Sequence, residues 1–406
     1  MTKPCRFCKD TAFDPVLDMG NNALVNSLIE EKDLDKKEEV FPLKVVRCRD
    51  CSLVQVERPI DSHKIYTDQD YLYFSSDMPG LSDYFKEYAD ELKERFLSEG
   101  DLVVEIGSND GIMLEHFVDK QLILGVDPSV NVAVRALRRG VPTVPLFFTE
   151  RLARLIDREW GKARVIYGNN CIAHIDDLDD VLRGVDALLT DDGVFVVECN
   201  YFGGMVKNKN YALVYHDHFS YFSLKNWADM ANKYGLQVFD AVVTPAQGGS
   251  LRVFMGRGAT EMTKRCLHLI HEEVTSKLNT KEVAQKYGED CVTEAKKLHD
   301  LVEGLVEEGK TIAGYGAAAK GFSVLKLAGI TDEHIKYFVD DSPAKQGKYT
   351  PVTHIPVVSR NEAEKRGLPD YFFITAPNYA TVIMEKEREF LANGGKFILC
   401  DSEVVG

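Results

Sequence analysis

The chain has no stretch approaching the roughly 20 consecutive apolar residues that cross a bilayer. Its first residues, Met1-Thr2-Lys3-Pro4-Cys5, lack the apolar run of a secretory signal. Positive charge is also short: 64 acidic residues against 49 basic ones leave a formal net charge of -15. A surface of that sign repels polyanions, which argues against nucleic acid and acidic membranes as partners. Cysteines placed for disulfides are scarce. Of the nine, Cys171, Cys199, Cys266, Cys291 and Cys400 stand singly in apolar or helical contexts and read as buried thiols. These absences point to a cytoplasmic protein. What is present is length: 406 residues, 45% of them hydrophobic, enough for two or three separate cores.

The other four cysteines form two Cys-x-x-Cys knuckles, Cys5-Arg6-Phe7-Cys8 and Cys48-Arg49-Asp50-Cys51. Each can place two thiolates on one zinc ion at about 2.3 Å. Four sulfurs close the shell, whereas a catalytic zinc keeps a position open for water, so the expected ion is structural. So short a segment gains little from its own apolar residues, and zinc binding can supply on the order of 10 kcal/mol toward folding it. Zinc ribbons often bind nucleic acid. Here Glu30, Glu31, Asp33, Asp35, Glu38 and Glu39 lie between the knuckles and favour a packing or substrate-shaping role.

Downstream, Leu102 to Ile106 reads as a buried parallel strand running into a turn that holds Gly107, Asn109 and Gly111, with a helix pattern through Met113, Leu114 and Phe117. Glycines at 107 and 111 let the backbone approach a ligand, and asparagine tolerates the same dihedrals. A second strand, Leu122 to Asp127, ends in an acid 20 positions after Gly107, where a carboxylate can accept both hydroxyls of a ribose. With Glu105 at the end of the first strand and no GxGxxG to cradle a pyrophosphate, the unit favours S-adenosylmethionine over NAD. The sheet continues through Val165 to Tyr167, whose end places Asn169 and Asn170 at the ligand crevice, and through Gly193 to Glu198.

Near the other end, Val283, Tyr287, Cys291, Leu298, Val302 and Leu305 form one apolar stripe on a long charged helix. A second strand-turn-strand unit follows, Thr311 to Gly316 and Ile335 to Asp340, in which Gly314, Gly316 and Ala319 match GxGxxA. Motif matching alone therefore leaves a second reading open, an NAD(P)-dependent oxidoreductase or a bifunctional enzyme. A zinc-bearing scaffold without chemistry would leave both nucleotide units unexplained.

Residues 215 to 223, Tyr-His-Asp-His-Phe-Ser-Tyr-Phe-Ser, pack two histidines, a carboxylate and two tyrosines together. On a strand His216 and His218 would share a face and Asp217 would not. A metal site, a general base and a structural role all remain open on this segment alone.

With this segment the chain resembles the sugar C-methyltransferases that act on nucleoside-diphosphate 4-keto-6-deoxysugars. The resemblance is carried by the paired knuckles, Val-Glu-Ile-Gly-Ser-Asn-Asp-Gly at 104–111, Gly-Asn-Asn-Cys-Ile-Ala-His-Ile at 168–175, the 215–223 run, Gly-Gly-Ser-Leu-Arg-Val at 248–253 and Gly-Tyr-Gly-Ala-Ala-Ala-Lys-Gly at 314–321. One position departs: the family commonly has Glu where this chain has Asp217. The resemblance implies His218 as the base that removes a proton beside the sugar ketone, usually at C3. It implies Tyr215 and Asp217 as sugar-contacting or orienting groups, with His216, Asn170 and His174 in the same pocket and an aromatic residue, Tyr73, reaching the sugar from 71–76. Glu105, Gly107, Asn109, Gly111, Asp127 and Asn169 would hold the adenosylmethionine. Lys320 would lie near the substrate phosphates, and Lys345 and Tyr349 offer further donors. The expected architecture is α/β: a zinc module over 1–75, a doubly wound Rossmann-like methyltransferase domain over 76–258, and a second Rossmann-like domain over 259–406 that helps hold the sugar nucleotide.

Overall fold

A computed structural model of the chain describes residues 3–406 apart from 26, 69, 72, 259 and 260. Strands are numbered in chain order. The first sheet is antiparallel and runs β1 (Phe13–Asn22), β2 (Phe41–Cys48), β3 (Val54–Val56). In β2 the buried Leu43 and Val45 alternate with the exposed Lys44, the period-two pattern of a half-buried strand. Its fourth strand, β9 (Ser220–Tyr221), comes from the far end of the His-Asp-His segment and pairs with β3.

The second sheet has seven strands. β4 (Leu102–Ile106), β5 (Leu122–Val126), β6 (Thr143–Val144), β7 (Ala163–Asn169) and β8 (Leu189–Asn200) are parallel, and β10 (Gln237–Thr244) and β11 (Ser250–Gly256) add an antiparallel hairpin beside β8. Every residue of β4 is buried, as a strand covered on both faces requires. The strand order reverses between β4 and β7, and a crevice at the carboxyl ends of those strands is where an open α/β sheet binds its ligand.

The helix read through Met113, Leu114 and Phe117 is only one 3-10 turn, Leu114–Phe117. Two features stop a regular helix. Gly107, Asn109 and Gly111 all adopt positive φ, which keeps the chain out of right-handed helix until residue 112. Ile112, Met113 and Leu114 are then all buried in succession, a pattern without the exposed face of an amphipathic helix.

The third sheet runs β14 (Val357–Val358), β13 (Ile335–Val339), β12 (Ile312–Tyr315), β15 (Tyr371–Ile374), β16 (Lys396–Ile398), β17 (Val404–Val405), parallel except for β17. Helix Lys281–Glu307 joins it to the rest, burying Tyr287, Cys291, Leu298 and Val302 along one side. At Gly288 the helix meets β1 so closely that a Cβ would stand 1.8 Å from the Val16 carbonyl oxygen. One buried apolar cluster runs from Cys5 through the central sheet to Ile398, so the three layers share a core. Among the described residues no helix is long and apolar enough to cross a membrane.

Candidate active site and zinc centre

Each knuckle is a tight turn. Lys9 N donates to Cys5 O and Ser52 N to Cys48 O, and Lys9 and Ser52 both take positive φ to close the loop. The turns bring Cys5 Sγ within 3.5 Å of Cys51 Sγ and Cys8 Sγ within 3.4 Å of Cys48 Sγ, with all four ligand atoms inside 4.8 Å of one another. A tetrahedral zinc shell with bonds of about 2.3 Å has edges of about 3.8 Å, so the donor set fits zinc and fills its coordination. Gln55 Nε2 donates to Cys5 Sγ at 3.1 Å, an outer hydrogen bond of the kind that orients a ligand.

At the end of β4 the chain turns through Gly107, whose φ is +66° and where a Cβ would lie 2.4 Å from that of Cys171. Only glycine fits. Gly107 N donates to Val126 O, Asn109 N to Asp127 Oδ2 at 2.9 Å and Ser129 N to Asp127 Oδ1 at 2.9 Å. Asp127 has no ion-pair partner among the described residues, and burial lifts its carboxyl to about 6 against the pull of those two amides. Glu105 is buried beneath the turn, where it accepts from Tyr167 Oη at 3.1 Å, and burial raises it well above the usual carboxylate range. Asn169 and Asn170, at the end of β7, each keep a buried side-chain oxygen without a hydrogen-bond partner. Buried polar atoms are normally satisfied, and a polar ligand such as adenosylmethionine, with hydroxyl and ammonium donors, fits this crevice.

Asn109 also connects the crevice to the aromatic segment. Its side chain donates to Tyr73 O at 3.1 Å and accepts from Ser75 N at 2.8 Å. Tyr71 and Tyr73 thereby lie near Tyr215.

The 215–218 segment is a turn, with His218 N donating to Tyr215 O. The strand expectation for it fails, and with it the shared face of the two histidines. His216 is 1% exposed and packs edge-on against Phe41. His218 points the other way. Its Nδ1 lies 2.7 Å from Leu213 O and 3.0 Å from the Asn200 amide, and its Nε2 lies 2.8 Å from Tyr215 Oη. A backbone carbonyl can only accept, so the hydrogen is assigned to Nδ1 and Nε2 carries the lone pair. Burial, aided by nearby His174, holds His218 well below its ordinary pKa, and burial alone brings His174 to about 4, so both rings are neutral at pH 7. The rings stand 5.0 Å apart. His174 Nδ1 meets Tyr66 Oη at 2.8 Å, while its Nε2 is buried without a partner. Asp217 is 4% exposed, and burial raises its carboxyl to about 7.

Lys320 opens the helix after β12, with its amine lowered to about 8 by burial and its charge felt at His218. Lys345 ion-pairs with Asp340 at 3.1 Å and donates to Ala317 O. Tyr349 pairs through its backbone with Ile29 of the N-terminal module and is not part of the cleft lining. That cleft, of about 670 Å³, opens between the second and third sheets and is lined by residues including Tyr84, Asn170, Lys209, Tyr211, Tyr379 and Asp401. Tyr84 Oη donates to Glu198 and accepts from Arg252, which fixes its ring in the wall.

Sequence reading missed Tyr66, Asn200 and the Tyr84–Glu198–Arg252 set. Arg252 belonged to a recognisable motif, but its partners lie 54 and 168 residues away, and no local spacing signals them.

Family models match three segments: a zinc binding domain over residues 5–66, a methyltransferase domain over 81–241 and a C-methyltransferase C-terminal domain over 245–400. The C-methyltransferase NovU of Streptomyces niveus is 36% identical over 399 residues, 97% of this chain and 94% of its own. Solved structures resemble the chain over less of its length. The magnesium protoporphyrin IX methyltransferase of Synechocystis with bound SAH is 14% identical at a TM-score of 0.36, covering 48% of this chain and 92% of that one. An S-adenosylmethionine-dependent methyltransferase of Clostridium acetobutylicum is 13% identical at a TM-score of 0.34, covering 44% and 91%.

Proposed function

The chain belongs to the zinc-bearing, S-adenosylmethionine-dependent C-methyltransferases, and from that premise we propose that it methylates the carbon beside the ketone, C3, of a nucleoside-diphosphate 4-keto-6-deoxysugar in the cytoplasm. The observation that carries this reading is the His218 imidazole, with Nδ1 committed to Leu213 O and an unprotonated Nε2 that accepts from the Tyr215 hydroxyl. A neutral imidazole with a fixed tautomer is a general base.

Bound adenosylmethionine supplies an electrophilic methyl on a sulfonium, and Asp127, Asn169 and Asn170 are the residues that would hold it. The chain's own residues make the carbon nucleophilic. His218 Nε2 takes the C3 proton, and the electron pair moves toward the ketone oxygen. That oxygen needs a donor, since one well-placed hydrogen bond to a developing oxyanion is worth about 3 to 4 kcal/mol. Two groups can serve. Tyr215 Oη already sits at Nε2, and His174, with Tyr66 at its Nδ1, has a free Nε2. Asp217, at about 7, is poised to take up or release a proton near neutrality, and being one methylene shorter than glutamate it acts from further back. The cleft beside Asn170 has room for a nucleoside diphosphate, and Lys320, on the helix after β12, is the cation we assign to its phosphates.

Incubation with adenosylmethionine and several nucleotide 4-keto-6-deoxysugars, followed by mass and NMR analysis, tests the reading. A product heavier by one CH2, with the new methyl on C3, is expected. Methylation on oxygen or nitrogen, or reduction of the ketone, would overturn it.

A further inference from the structure

His218 and His174 stand on separate loops, 213–219 and 170–176; the central sheet reaches each of them through the end of β8, by Asn200 at His218 and by Glu198 O at Asn170 N, but the two loops also meet outside it. There the N-terminal module joins them. Val56 N donates to Phe219 O at 2.9 Å, and Phe219 N donates to Ala173 O at 2.7 Å. The residue after His218 is therefore hydrogen-bonded to β3 on one side and to the residue before His174 on the other. Pairing continues between Gln55 and Ser220 and between Val54 and Tyr221.

Arg6, the second residue of the first knuckle, covers this junction. Its Nη1 donates to Gln55 Oε1 and to Val56 O, both at 2.8 Å. Its Nε ion-pairs with Asp176, two residues after His174, at 3.1 Å. The guanidinium lies 5.5 Å from the centroid of the Phe219 ring. Gln55 donates in turn to Cys5 Sγ, so a continuous chain of contacts leads from a zinc ligand to the residues flanking both histidines. Arg6 is 4% exposed. A buried guanidinium is costly even when paired, and an apolar side chain of similar volume often packs as well or better. Packing alone gives no reason for an arginine at this position.

We propose that Arg6 is a positioning residue, which locks the His218 and His174 loops to the zinc module and so sets the geometry of the base. This rests on the reading of His218 and His174 given above. It assigns the four-cysteine site a part in turnover.

Arg6→Met and Arg6→Lys in the zinc-loaded, full-length protein test it. Arg6→Met should retain its zinc and bind S-adenosylhomocysteine within about twofold of the parent, with KM for the ketosugar little changed. Its kcat should fall about tenfold to a hundredfold, since small misplacements of a reacting group carry penalties of that order. Amide hydrogens of 213–222 should exchange faster. Arg6→Lys, which restores the charge, should recover part of the kcat. Unchanged kcat and unchanged amide exchange in Arg6→Met would overturn the proposal. So would a parallel fall in kcat and cofactor affinity, the mark of general loosening. Should Arg6→Met fail to fold, Asp176→Asn removes the ionic contact at a partly exposed side chain, with Lys3→Met, which breaks only the other ion pair of Asp176, as its control. A kcat lowered about threefold at constant cofactor affinity supports the tie, and an unaltered kcat refutes it. The amide exchange needs no substrate. An enzyme that never methylates a ketosugar would end the functional reading, while faster exchange at 213–222 would still report on Arg6.

Discussion

The two glycine turns of this molecule, one after β4 and one after β12, are built on the same hydrogen bonds. Gly107 N and Gly316 N each donate to the last residue of the neighbouring strand at 2.7 Å. Asn109 N and Ala317 N each donate to the acid that follows that strand, Asp127 and Asp340, and each acid also accepts from the serine two residues on, Ser129 and Ser342. The difference is a cation. Lys345 sits on Asp340, whereas Asp127 has no ion-pair partner among the described residues and burial raises it to about 6. A repeated backbone frame does not settle which turn binds a ribose. The side chains placed around the acid differ, and the turn that matches a dinucleotide motif more closely is the one whose acid already has a cationic partner.

The sharpest break in the comparison lies at the chemistry beside the first turn. His218→Asn should leave both ligands bound and lower kcat by about 10² to 10⁴, the usual range for a general base. Steady-state kinetics with parallel calorimetry check this, and a variant retaining most of its turnover would move the base elsewhere.

Next come the two acids. Asp127→Ala should weaken S-adenosylhomocysteine binding by about 1 to 3 kcal/mol, the loss expected when hydrogen bonds to a charged group are removed. Asp340→Ala should lower stability and leave that affinity alone. If calorimetry finds the two equally damaging, the turns are not divided in this way.

The pH dependence is smaller. Ribose hydroxyls prefer the ionised carboxylate, so binding pulls the Asp127 pKa below its value of about 6 in the free protein and releases protons near that pH. Affinity should rise toward pH 6 and flatten above it, by at most about tenfold per unit. Calorimetry from pH 5 to 8 in two buffers of different ionisation heat measures both slope and proton release. A flat profile, or proton uptake, contradicts the assignment.

Lys345→Met should have the least effect, under about 1 kcal/mol of stability, because the ion pair is partly exposed and screened by solvent. Its expected signature is negative: no gain of NAD binding and no change in adenosylhomocysteine affinity.

Legibility in the sequence followed the range of the contacts. The cysteine quartet was readable because each knuckle is a local turn with fixed spacing, and β4 with Gly107 and Asp127 because a buried parallel strand and its turn have a short signature. The His218 pocket was readable as a density of chemistry-bearing residues, and the roles proposed for them rest on family resemblance. Its geometry was not. The period-two reading of 215–218 failed because the segment turns, sending His216 to Phe41 and His218 to Leu213. Tyr66 reaches His174 across 108 residues, and Arg6 reaches Gln55 across 49. Strand β9, remote from β1 to β3 in sequence, completes their sheet. Such pairings depend on the assembled fold, where no periodicity or motif records them.

Deprotonation at the sugar carbon can be followed separately from methyl transfer by incubating the ketosugar in deuterium oxide with enzyme and adenosylhomocysteine, and reading exchange at C3 by NMR. The parent protein should exchange that hydrogen, and His218→Asn should slow the exchange by about 10² or more while Tyr215→Phe slows it less. Undiminished exchange in His218→Asn, with slow exchange in a His174 or Tyr73 variant, would contradict His218 as the base.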